Sequence, residues 1–131
     1  MIATNFNSFV PKIKSTTTTI KDVYYAIKNN GGYSFNPYYN LPDKGFIVSL
    51  KGGKKIENFN SFSAEKKLDI IYQWTKRPIT NTDFYGFWLD NDTLYCDVSK
   101  VYNDKDKAMK TGLLFKQLSI YDIQNKCVIW L

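Results

Sequence analysis

A chain of 131 residues, 44% hydrophobic and 17% aromatic, has enough apolar surface for one packed domain and too little length for two independent ones. Its formal charge of +6 is uneven: Met1 to Arg77 carries 12 Lys/Arg against 5 Asp/Glu, whereas Pro78 to Leu131 carries 6 against 7. One basic end and an anionic partner are therefore expected, while the absence of any histidine excludes Ser-His-Asp and Cys-His catalysis and histidine ligation of metals.

In chain order, residues 1–16 read as a loosely ordered amino-terminal arm. Ile20, Val23, Tyr24 and Ile27 then recur at i, i+3, i+4 and i+7, which predicts a helix capped by Thr19 with Asp22 and ended by Asn30-Gly31-Gly32. Tyr33 to Phe35 and Gly45 to Leu50 read as strands. Gly52-Gly53 offers a tight reversal into Lys55 to Phe59, so these segments predict a small antiparallel sheet. Ser63 is a good N-cap for a second helix bearing Leu68, Ile71 and Tyr72, which Pro78 forbids from continuing.

A hairpin follows, with Tyr85, Phe87 and Leu89 alternating against Phe84 and Trp88, a turn at Asp90 to Asp92, and a return through Leu94, Cys96 and Val98. Asp97-Val98-Ser99 is expected to anchor the third helix, which starts at Asn103 or Asp104, directs Ala108, Met109 and Leu113 inward, and uses Gly112 for close approach to the sheet. Leu118 to Tyr121 and Cys127 to Leu131, joined by a turn opening at Asp122, predict the last hairpin. The order α-β-β-β-α-β-β-α-β-β makes residues 1–131 a single α+β domain, with about three helices on one face of a mostly antiparallel sheet.

The pentapeptide Asn-Phe-Asn-Ser-Phe occurs at Asn5 to Phe9 and at Asn58 to Phe62. The second runs directly into its helix while ten residues separate the first from its own, so the pair reflects composition and not duplication. Cys96 and Cys127 fall in strand-like runs and make neither a disulfide framework nor a zinc site. No cationic start leads into an apolar stretch, and no run approaches the roughly eighteen apolar residues of a membrane span, so a cytoplasmic protein without a membrane partner is expected.

Two carboxylate patterns need weighing. Asp90, Asp92 and Asp97 begin like a calcium loop but meet Tyr95 and Val101 where Gly and Glu are needed. Pro42-Asp43 with Glu65-Lys66-Lys67 formally fits the pattern of restriction-type nucleases, in which carboxylates hold magnesium and a Lys stabilises charge. Those families place both parts on adjacent strands, whereas Glu65 falls here in the first turn of a helix. Lys51-Gly52-Gly53-Lys54 reads as a turn, not a phosphate cradle. No cofactor and no resident metal are expected.

Binding remains. From Tyr33 to Arg77, cations interleave with flat rings, as in surfaces that hold phosphate and stack bases. The candidate contacts are Tyr38, Tyr39, Lys44, Lys51, Lys54, Lys55, Lys66, Lys67, Lys76 and Arg77. Tyr38 and Tyr39 come first, because their loop between Pro37 and Pro42 is the hardest to assign to a core. Phe35, Phe46, Phe59 and Trp74 read as core.

Gly86, Phe87, Trp88 and Asp90, then Leu-Tyr-Cys-Asp-Val-Ser-Lys-Val from Leu94, then Asp104, Ala108, Gly112, Gln117 and Leu-Ser-Ile-Tyr-Asp from Leu118, resemble small bacteriophage and mobile-element accessory proteins. Gly31 to Pro37 and Gly45 to Gly52 are similar to the amino-terminal half of that set. The resemblance implies a phage-encoded product working in the host cytoplasm, a class that includes inhibitors of host defence and host-takeover factors. It carries over no functional residue. The leading expectation is a non-catalytic protein that occupies a host protein through its basic aromatic face; the alternatives are direct nucleic-acid or nucleotide binding and a magnesium nuclease at Asp43, Glu65 and Lys67.

Overall fold

The computed structural model describes residues 12–50 and 53–131. Its elements are α1 (Ile20–Asn30), β1 (Gly32–Phe35), β2 (Phe46–Ser49), β3 (Lys54–Ile56), α2 (Ala64–Trp74), β4 (Asp83–Asp90), β5 (Thr93–Tyr102), α3 (Lys105–Leu114), β6 (Ser119–Asp122) and β7 (Cys127–Trp130). The α+β order is the one read from the sequence. All strands join one antiparallel sheet in the order β1-β4-β5-β2-β6-β7, with β3 also pairing β5. Among the described residues, no helix is long and apolar enough to cross a membrane.

The helices end where local chemistry ends them. Thr19 and Asp22 bond each other's backbone in a capping box, and Gly31, at φ 79°, closes α1 in the left-handed conformation that glycine adopts without strain. Ser63 caps α2 through the Lys66 N–H. Asp104, not the Asp97-Val98-Ser99 stretch, caps α3 by accepting from the Asp106 and Lys107 N–H groups. Asp97 and Ser99 lie inside β5, because the strand runs on to Tyr102.

The predicted small sheet of β1, β2 and β3 is also corrected. None of the three pairs with another: β1 pairs β4, and β2 and β3 both pair β5 in the antiparallel sense. Two strands antiparallel to the same neighbour run in the same direction, so no reversal lies between them. Cys96 opposes Lys54 whereas Ser99 opposes Ser49, so the chain gains length between β2 and β3 and then resumes along the same strand. Lys51 and Gly52 lie outside the described residues. The topology also sets β2 and β3, from the basic half, beside strands from the neutral half.

Register fixes which side chains meet the helices. Tyr85, Phe87 and Leu89 share a sheet face with Leu94, Cys96 and Val98, and there they join Val23, Ile27, Ile71 and Trp74 of α1 and α2 in one apolar cluster. Farther along the same face, Val48, Tyr102 and Ile120 pack with Ala108 and Met109 of α3, whereas Leu113, expected inward, is exposed because the helix turn carries it away from the stripe that Ala108 starts. Gly112 permits that contact: a Cβ there would lie 2.6 Å from Leu131 Cδ1. Between the clusters, Lys100 pairs with Asp83 at 2.9 Å. Burial raises the Asp83 pKa, but bonds from Lys100 and Thr80 outweigh it and hold the carboxyl below its usual range.

Of the repeated pentapeptides, Asn5 to Phe9 lies outside the described residues. The second forms a short 3-10 turn at Phe59–Ser61 that buries Phe59. Within the expected amino-terminal arm, the Lys14 N–H donates to the Tyr38 carbonyl (2.9 Å) and the Asn40 N–H to the Lys12 carbonyl (2.8 Å).

Candidate functional site

Besides its backbone bonds to Lys12 and Lys14, the loop after β1 is held by a buried amide. Asn36 Nδ2 donates to the Thr80 and Asp83 carbonyls (3.2 and 3.0 Å), and Asn36 Oδ1 accepts from the Tyr38 N–H (2.9 Å). Its carbonyl and amino groups are both engaged, so Asn36 ties the Pro37–Tyr39 turn to the segment entering β4. With its backbone fixed, the Tyr38 ring projects outward at 72% exposure.

The opposite wall is the chain leaving α2. Pro78 prevents the helix from continuing, and the Tyr85 hydroxyl, rising from β4, donates to the Arg77 carbonyl. Burial pushes the Tyr85 phenol up, with a further contribution from Tyr38. The Arg77 guanidinium lies over the Trp74 ring, 4.0 Å from its centroid, and Trp74 is anchored by its indole N–H to the Asp97 carbonyl (2.9 Å). Lys76 Nζ sits 5.0 Å from the Tyr72 ring centroid.

These two walls enclose an open cleft of about 260 Å³ lined by Tyr38, Tyr39, Lys76 and Arg77, with Asn36, Thr80 and Tyr85 behind them. Among the described residues, no acidic side chain lines it. A second cleft, about 230 Å³, lies between α2 and β3 and shares Arg77 with the first; Lys54, Asp69, Gln73 and Trp74 line it. The Asp69 carboxylate accepts from Gln73 at 3.2 Å. Among the described residues neither Lys54, Lys76 nor Arg77 is ion-paired to a carboxylate.

Four of the ten sequence candidates thus meet in one cleft, and Lys54 joins Arg77 in the next. The others stand elsewhere. Lys55 points to the helix-free face, over the Tyr95 ring and 3.5 Å from Glu57, since adjacent strand residues face opposite ways. Lys66 and Lys67 are at the far end of α2, with Lys66 over Phe62 and Lys67 near the Phe59 and Tyr24 rings, roughly 10 Å of helix axis from Trp74. Lys44 is exposed in the loop before β2 and lines neither cleft. Lys51 lies outside the described residues.

For the nuclease pattern, Asp43 is in that loop and Glu65 in the first turn of α2. Among the described residues, no three His, Cys, Asp or Glu side chains form a metal-holding group.

The sequence reading missed the helix-free face as an aromatic surface. Trp88 and Tyr95 are directly opposed there, and Trp88 is exposed. Their signal was present in the alternation, in antiphase to Phe87 and Leu94. On the same face Asp97 opposes Gly86, where a Cβ would come within 2.0 Å of Asp97 Oδ1. Burial pushes the Asp97 carboxyl up, partly offset by a 2.7 Å hydrogen bond from Ser49 Oγ. Cys96 is also buried, and its thiol is pushed up to about 12.

No protein-family model, curated protein or solved structure matches the chain.

Proposed function

We propose that this chain is a non-catalytic binding protein whose ligand is a nucleic acid or nucleotide, seated in the cleft between Pro37–Tyr39 and Lys76–Arg77. The observation that carries the reading is the meeting of an exposed Tyr38 ring with two cations that no carboxylate neutralises, in a cleft without an acid of its own. A ring and a guanidinium edge suit a ligand that is flat at one end and anionic at the other. Salt should weaken binding log-linearly, as displaced counterions require. Tyr38→Ala with Tyr39→Ala should lower affinity for a fluorescein-labelled oligonucleotide at least tenfold while the unfolding transition stays cooperative. Unchanged affinity would dispose of the site.

A second reading, the phage-type accessory protein that occupies a host protein, is favoured by a different surface. Leu114 and Leu118, at the end of α3 and in the turn that follows it, are each more than 70% exposed. Large apolar side chains exposed close together in the chain suit a protein contact. Retention of a host protein that survives high salt and is lost on Leu114→Lys with Leu118→Lys would support it.

A further inference from the structure

We infer that the ligand is a single strand, not a mononucleotide, and that it runs from the Tyr38 cleft past Arg77 into the cleft beside Lys54. This rests on the nucleic-acid reading above and deepens it.

Three observations converge on a strand. The two clefts share Arg77, so a chain leaving one enters the other without crossing a neutral wall. Each cleft, at about 260 and 230 Å³, falls below the ~300–1,000 Å³ of sites that enclose a small molecule, so neither buries a whole nucleotide, though both can hold parts of a longer ligand. Arg77 is built as a pivot: its carbonyl is held by Tyr85 and its guanidinium carbon sits 4.0 Å from the Trp74 ring centroid, while its N–H donors, paired to no carboxylate among the described residues, can take a phosphate between two bases.

Tyr38 decides between single strand and duplex. An exposed ring gains a stacking partner only from a base with a free face, and bases in a duplex are already stacked on their neighbours. Lys54 then supplies the charge for the next phosphate. Asp69, the one acid in the second cleft, is turned toward Gln73.

The test compares dTMP with fluorescein-labelled dT8, a GC-rich hairpin duplex and inorganic polyphosphate on the full chain. The expected result is dT8 at least tenfold tighter than dTMP, and also tighter than the duplex or polyphosphate. Lys54→Gln, at an exposed position, should shrink the dT8-to-dTMP ratio at least threefold. If dTMP binds as tightly as dT8, the strand is wrong and the nucleotide site stands. If polyphosphate or duplex matches dT8, stacking adds nothing and the inference falls. If none binds, both readings fall together.

Discussion

Asn36→Ala is the substitution that most directly tests how the cleft is built. The side chain is 2% exposed and makes three hydrogen bonds, one of them, to the Asp83 carbonyl, fully buried. Leaving that carbonyl unpaired should cost about 1–3 kcal/mol; the Thr80 and Tyr38 groups are partly exposed and can recover water, so each adds only about 0.5–1 kcal/mol. The sum, roughly 2–5 kcal/mol, is a large part of the ~5–15 kcal/mol that holds a domain of this size together. Urea unfolding followed by tryptophan fluorescence reads it directly, with the slope unchanged and the midpoint lowered. Asn36→Asp should cost more at neutral pH, because a carboxylate would then face two carbonyl oxygens. A loss below about 1 kcal/mol for Asn36→Ala would show that the loop is held by other contacts.

The buried carboxyl offers a pH test. The folded chain holds the Asp97 proton more tightly than the unfolded chain, so this group favours folding below the usual carboxylate range, and that contribution is lost as pH rises through its folded-state pKa. Asp97→Asn should therefore gain on the parent as pH climbs from 3 to 7; a constant difference in unfolding free energy would contradict the assignment. Gly86→Ala forces a methyl against Asp97 Oδ1 and should destabilise by about 1–3 kcal/mol. Combined with Asp97→Ala it should cost less than the sum of the single changes, and strict additivity would count against the clash. Of the two free thiols, exposed Cys127 should react with a disulfide reagent in the native protein, whereas Cys96, pushed up to about 12 and buried, should react only after denaturation. Equal rates in native protein would refute that distinction.

The elements were legible because each is marked locally. The Thr19 and Ser63 caps, the Gly31 stop and the alternation through Tyr85, Phe87 and Leu89 are properties of neighbours in sequence, and all survive in the structure. Strand pairing was less legible. Gly52-Gly53 permits a reversal, but whether the chain turns depends on whether β5 offers a longer edge, and its ten residues accommodate β2 and β3 end to end. Likewise, a helix places Lys66 and Lys67 at one end and Arg77 beyond the other, and a strand sends Lys54 and Lys55 to opposite faces. Composition counted these cations as one basic stretch; geometry divides them among separate surfaces.

That division says where binding energy should concentrate. A lysine free to rotate loses conformational entropy when it orders on a phosphate, on the order of 0.5–1.5 kcal/mol for each side chain immobilised. Arg77 has lost much of that freedom before any ligand arrives: Tyr85 fixes its backbone, its guanidinium sits over Trp74, and the Asp97 carbonyl in turn holds Trp74. Across the cleft, Asn36 does the same for the turn that carries Tyr38. Neither wall belongs to a helix or strand, yet each is tied to β4, one through the Tyr85 hydroxyl on the Arg77 carbonyl and the other through the Asn36 amide on the Asp83 carbonyl, so the sheet positions two irregular segments. Lys44 has no such support. Neutralising Lys44 should therefore change affinity mainly through the long-range field and fade as salt rises, whereas removing the Arg77 guanidinium should leave a loss that persists in salt.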